Sequence, residues 1–130
     1  ADGIHIGQDD LPLAEARKIV GSGKIIGVST HRIEEAREAE KNGADYIGVG
    51  PVFPTKTKET AVPVTTEYVK QVANEIKIPF VAIGGIKLDN VDEVLDAGAT
   101  RICAVSEIVG AKDVKRTCEL FLEKINRKKR

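Results

Sequence analysis

The chain has 130 residues, with 20 basic and 20 acidic side chains and a formal net charge of +0, so no overall field draws it to nucleic acid or to an anionic membrane. That length suits one domain, residues 1–130, and falls short of the roughly 200–250 residues of a complete eight-unit barrel. Cys103 and Cys118 form no short metal or redox spacing, no apolar run reaches the about 20 residues of a membrane span, and the opening residues carry no secretory pattern. A reduced, cytoplasmic protein is expected.

Five short apolar runs rich in β-branched residues alternate with helical patterns. The first, at 4–7, is followed by Pro12, a helix starter, and Gly21, where that helix should stop. The second run, at 25–29, leads to a helix ending near Gly43. The third, at 46–52, precedes a helix that Thr66 could cap and whose buried stripe is Val69, Val72 and Ile76. After the fourth run, at 80–83, a helix ends near Gly98. The fifth run, at 102–105, leads to a final stripe of Val114, Cys118, Phe121, Leu122 and Ile125. The basic residues Arg127 to Arg130 then complement the dipole of the last helix rather than forming a nucleic-acid tail. Because the runs read as apolar on both faces, they predict parallel strands covered on both sides.

Gly43-Ala44-Asp45-Tyr46-Ile47 and Gly98-Ala99-Thr100-Arg101-Ile102 are the same link from helix to strand, and Ala1-Asp2-Gly3-Ile4 resembles it without its glycine. The expectation is that a helix stands immediately upstream of residue 1.

Barrel chemistry sits at the carboxyl ends of strands. Gly84-Gly85-Ile86 after the fourth run and Val105-Ser106 after the fifth predict a phosphate site, since glycine admits backbone N–H groups to phosphate oxygens and the hydroxyl adds a donor. Thr55-Lys56-Thr57-Lys58, after the stiff Gly50-Pro51-Val52-Phe53-Pro54 segment, offers two hydroxyls and two cations for an oxyanion. Gln8-Asp9-Asp10 could hold Mg²⁺ or simply favour the start of the next helix. Ser29-Thr30-His31 could supply a hydroxyl ligand, a helix cap and an acid–base imidazole, while His5, within the first strand, reads as a packed or hydrogen-bonded core residue.

Taken in order, Gly3-Ile4-His5-Ile6-Gly7-Gln8-Asp9-Asp10, Ile26-Gly27-Val28-Ser29-Thr30-His31, the stretch from Gly43 through Gly50-Pro51-Val52-Phe53-Pro54-Thr55-Lys56-Thr57-Lys58, and Ala82-Ile83-Gly84-Gly85-Ile86 closely resemble the thiamine-phosphate synthase family. The resemblance implies an α/β fold of the (β/α)₈ TIM-barrel family, here an incomplete barrel of about five parallel βα units. It implies a Mg²⁺-dependent transferase that joins hydroxymethylpyrimidine diphosphate to thiazole phosphate. By motif, Asp10 would bind Mg²⁺. Ser29 and Lys58 would meet the pyrimidine diphosphate and act in catalysis, Thr55 and Thr57 would face the thiazole phosphate, and Gly85, Val105 and Ser106 would bind it.

The family's Gln-x-Arg-x-Lys and Asn-Asp elements have no counterpart in the sequence, so part of the diphosphate clamp is missing and activity would be impaired if the barrel is truly short. Five units would leave two open edges, to be covered by an amino-terminal segment or by self-association. Two other readings stay open: a thiazole tautomerase using His31, and a non-catalytic phosphate-binding part-barrel.

Overall fold

The computed structural model describes residues 1–54 and 63–129. Strands and helices alternate as β1 (Gly3–Ile6), α1 (Leu13–Val20), β2 (Ile25–Thr30), α2 (Ile33–Lys41), β3 (Tyr46–Val49), α3 (Thr65–Glu75), β4 (Phe80–Ile83), α4 (Val91–Asp96), β5 (Ile102–Cys103), α5 (Ser106–Val109) and α6 (Val114–Lys129). The strands form one sheet in the order β1-β2-β3-β4-β5, and every pair is parallel. Right-handed crossovers repeated in one direction put the return helices on one face, which is barrel order; a doubly wound sheet would reverse midway. The expected incomplete barrel of five parallel units is the observed architecture.

Register explains which side chains are buried. Ile26, Val28, Ile47, Val49 and Ala82 share one core with Ala16, Ala36, Val69, Val72, Val94 and Phe121 of the helices. The other face carries Gly27, Ser29, Tyr46 and Gly48, with His5 paired to Gly27 on β1. The expectation of two apolar faces holds on β4, where Val81 and Ile83 share this face, and fails on the first three strands. Across β1, β2 and β3 the face turned from the helices is largely glycine or polar, and a composition rich in Ile and Val hid this because the helix-facing half dominates it.

Punctuation follows chemistry, with three adjustments. Pro12 is the N-cap of α1, and Gly21, Gly43 and Gly98 all have positive φ where helices give way to strands. The third helix is not capped by Thr66. Thr65 Oγ1 instead accepts the Glu67 N–H at 3.3 Å. β3 stops at Val49, short of 52, because Pro51 has no N–H for the ladder. On α6, Phe121 is buried, whereas Leu122 is 56% exposed, so the stripe is narrower than its spacing suggests.

Two polar clamps lock the sheet. At the amino-terminal rim, the Arg17 guanidinium donates to the carbonyls of Lys24 at 2.5 Å and Gly43 at 3.1 Å and to Asp45 Oδ2 at 2.9 Å, and the same Asp45 oxygen accepts the Ile26 N–H at 2.8 Å. Asp45 stands in the repeated helix-to-strand link, so α1, β2 and β3 are joined there. The Arg17 hydrogen bond, followed by that from Ile26, holds the Asp45 carboxyl below its ordinary range. At the opposite rim, buried Thr30 donates to the Gly48 carbonyl at 2.8 Å and accepts the Tyr68 hydroxyl at 2.5 Å. Burial pushes the Tyr68 phenol up to about 12, against the opposing effect of the Thr30 hydrogen bond.

Thr30→Val keeps the shape and strands both partners, so urea denaturation should show a loss of about 1–3 kcal/mol with an unchanged slope. For Asp45→Asn, the stability deficit relative to wild type should be full at neutral pH. It should shrink as pH falls through the depressed Asp45 pKa, because protonation removes the same charge from the wild-type chain. Melting curves from pH about 7 to about 2 check this, and a deficit that stays constant with pH would assign the loss to packing.

Candidate functional site

Because all strands run the same way, the loops after them meet at one rim. After β4 the chain turns through Gly84 at φ 107° and Gly85 at φ 64°, a region that side chains disfavour. This turn lies against the loop after β3: Val52 N–H donates to Ile83 O and Phe53 N–H donates to Gly84 O, each at 3.0 Å. A Cβ on Gly85 would stand 2.6 Å from the Pro54 carbonyl oxygen and 2.9 Å from Phe53 Cβ. From sequence, glycine here is expected to make room for a phosphate. In the fold, the space a Gly85 side chain would take is occupied by protein backbone.

Further contacts brace the loop after β4 and tie it to the segment after β5. Asn90 Nδ2 donates to Gly85 O at 3.0 Å while its Oδ1 accepts the Lys87 N–H at 2.8 Å. Val105 and Ser106 open the short helix α5, and the next residue, Glu107, accepts the Leu88 N–H at 2.8 Å. Glu107 thus ties α5 to the segment after β4.

Between these loops and β2 lies a cavity of about 220 Å³ lined by Ser29, Thr30, His31, Gly85, Val105 and Ser106, with Ile83 and Cys103 on its wall. Ser29 is fixed from two sides: Gln8 Nε2 donates to its carbonyl at 2.8 Å, and its hydroxyl lies 2.7 Å from His5 Nε2. His5 Nδ1 lies 2.9 Å from the Tyr46 hydroxyl. His31 turns toward α2, where Glu35 Oε1 accepts its backbone N–H at 2.8 Å and lies 3.2 Å from Nδ1. Thr30 is not the expected helix cap, since Arg32 occupies that position without a side-chain cap and the Thr30 hydroxyl is spent inside the core.

Ser29, Gly85, Val105 and Ser106 therefore come together. Asp10 does not line this cavity. It borders a neighbouring depression with Glu35 and Glu38, and its Oδ2 accepts the Gly7 N–H at 2.7 Å. Thr55, Thr57 and Lys58 lie outside the described residues. Among the described residues no three His, Cys, Asp or Glu side chains gather as a metal cluster. Asp10 fits Mg²⁺ only as a single carboxylate, which suits an ion that takes one or two protein carboxylates and completes its shell with phosphate oxygens and water.

Sequence reading missed Tyr46, Asn90 and Glu107 as parts of the site. Asn90 and Glu107 act through local backbone bonds that carry no motif. Tyr46 could have been suspected from the single glycine, Gly27, two residues before Ser29 in a strand, since such a glycine often marks close approach of another group. Among the described residues no helix is long and apolar enough to cross a membrane.

Comparison with known proteins adds the relatives. The family model described as thiamine monophosphate synthase matches residues 1–108. A thiamine-phosphate synthase of Halalkalibacterium halodurans is 78% identical over 122 residues, covering 93% of this chain and 58% of that protein. One from Shouchella clausii is 63% identical over 123 residues, covering 94% of this chain and 59% of that protein. The solved structure of a thiamine phosphate pyrophosphorylase from Pyrococcus furiosus superposes with a TM-score of 0.89 at 41% identity, covering 98% of this chain and 61% of that one. The chain thus spans about three fifths of the length of these relatives. With the motifs, the parallel sequential sheet and the rim cavity in agreement with that match, the chain belongs to the thiamine monophosphate synthase family.

Proposed function

We propose that the protein is a thiamine-phosphate synthase, a transferase that couples hydroxymethylpyrimidine diphosphate to thiazole phosphate and releases diphosphate. One observation carries the reading: the loops after β4 and β5 share a single cavity with Ser29, with α5 starting at its wall. Barrels commonly bind phosphate at the loops after their last two strands and at the start of a short extra helix. The named relatives are synthases, which favours coupling over tautomerisation.

The chemistry asks little of the protein in proton transfer. The bond between the pyrimidine methylene carbon and the diphosphate oxygen breaks, its electron pair leaves with the diphosphate, and the resulting cation is stabilised by resonance. The thiazole nitrogen lone pair then forms the new carbon–nitrogen bond. Catalysis therefore rests on meeting the charge that develops on the leaving group and on holding the two substrates in line. Ser29 and Lys58 donate to the diphosphate. Gly85, Val105 and Ser106 hold the thiazole phosphate, with Thr55 and Thr57 beside it. Asp10 would hold Mg²⁺, which would supply further neutralisation of the leaving charge. A cytoplasmic location accords with phosphorylated substrates.

Calorimetry with thiazole phosphate should show saturable binding, and Ser106→Ala should weaken it by on the order of 10- to 100-fold, the worth of a hydrogen bond to a charged group. Liquid chromatography of reactions containing both substrates and Mg²⁺ should show thiamine phosphate and diphosphate in equal amounts. Absence of thiazole phosphate binding would sink the reading. Binding without product would reduce the chain to a phosphate-binding part-barrel. Gly85→Val is a poor probe, since its side chain would collide with Phe53 and Pro54 and disturb the loop itself.

A further inference from the structure

Three strands contribute one polar chain on the face turned from the helices. In the sheet register His5 stands opposite Gly27, and Gly27 stands opposite Tyr46. Two large side chains from β1 and β3 can meet across β2 only if the residue between them has no side chain. A Cβ on Gly27 would overlap the Tyr46 ring at Cζ. Tyr46 therefore lies over Gly27 and its hydroxyl reaches His5 Nδ1 at 2.9 Å, with the rings 5.6 Å apart and inclined at 36°. The second imidazole nitrogen, Nε2, is 2.7 Å from the hydroxyl of Ser29. Ser29 in turn stands opposite Gly48, where even an added Cβ would lie 3.9 Å from Ser29 Oγ, so no side chain from that position covers the hydroxyl.

From this geometry we propose that His5, oriented by Tyr46, is a positioning residue that sets the direction of the Ser29 hydroxyl proton, resting on the reading of Ser29 as a diphosphate-binding group. A neutral imidazole has one N–H and one acceptor nitrogen. The phenol is a stronger acid than an aliphatic alcohol and so the better donor, and Tyr46 O–H donates to Nδ1. The ring proton then sits on Nε2 and donates to Ser29 Oγ. With its oxygen engaged as an acceptor from His5, Ser29 directs its own proton away from the ring, into the cavity, where an anionic oxygen can take it. The opposite tautomer would turn the Ser29 O–H back onto Nε2 and leave only an oxygen lone pair facing the negatively charged ligand, which is repulsive. Substrate affinity is thereby tied to a proton held on the neighbouring strand. The relay needs Gly27 as much as it needs the three side chains.

The test begins with the unaltered chain. Long-range ¹H–¹⁵N correlation of imidazole-labelled protein, at about pH 8 where free imidazole is neutral, reads the His5 tautomer directly. A His31→Gln variant assigns the only other histidine. The expected state is Nε2–H. Tyr46→Phe removes the donor to Nδ1 and should shift His5 toward a mixture of tautomers. It should also weaken binding of inorganic diphosphate, measured by calorimetry, by roughly 3- to 10-fold, the worth of one hydrogen bond. In a Ser29→Ala background the same substitution should have no further effect, because the route through Ser29 is already gone. An Nδ1–H tautomer in the wild-type chain overturns the proposal even if diphosphate binds normally. Equal weakening by Tyr46→Phe with and without Ser29 also overturns it, since Tyr46 would then act through the fold alone. If the wild-type chain binds no diphosphate while His5 is Nε2–H, the relay stands and the substrate reading fails.

Discussion

Each strand pairs in parallel with the next one in sequence, so each must be followed by a return helix, and the carboxyl ends of all five must lie on one rim. The site depends on that constraint. Gln8, Ser29, Gly85 and Ser106 are spread over nearly 100 positions of chain, yet each follows or ends a strand, and parallel polarity alone puts them at the same edge. Contacts at the rim then refine what polarity assembled. Asn90 holds the Gly85 carbonyl, and Glu107 holds the Leu88 amide, so two adjacent loops become one wall.

A second constraint works within each strand. Successive side chains point to opposite faces, and β2 shows the consequence in two neighbouring hydroxyls. Thr30 faces the helices, is buried, and spends its hydroxyl on Gly48 and Tyr68. Ser29 faces the other way, lines the cavity and is met by His5. Nearly the same functional group serves the core at one position and the ligand side at the next. A buried hydroxyl must be fully partnered to avoid a desolvation cost, whereas one on a cavity wall retains capacity for a ligand.

Neutral overall charge is consistent with this arrangement. With no net charge to set up a long-range field, any anion would have to be held by short-range donors placed at the rim. Among the described residues several charged side chains tie elements together: Arg17 with Asp45 at the far rim, Arg37 with Glu75 between α2 and α3, Lys124 with Asp92 and Lys128 with Asp96 between α6 and α4. The exposed pairs contribute little individually, while Arg17 also satisfies backbone carbonyls of the turns that begin β2 and β3.

The residues alone were enough to reveal the βα alternation, the glycine-marked ends of the helices, and Ser29, Gly85, Val105 and Ser106 at the rim, because periodicity and turn chemistry are local properties of the chain. Motif order was enough to point to the family. Tertiary structure alone decided matters of register and approach. It showed that β1, β2 and β3 turn His5, Ser29 and Tyr46 away from the helices, that Thr30 belongs to the core and is not a cap, that Asp10 borders a separate depression, and that the glycine at 85 clears space for Phe53 and Pro54. It also joined His5, across Gly27, to Tyr46 and Ser29. The physical reason is the same in each case. Local sequence sets which way a side chain alternates along its own strand, but what it meets depends on the offset between strands, and that offset is settled only when the helices and the sheet pack against each other.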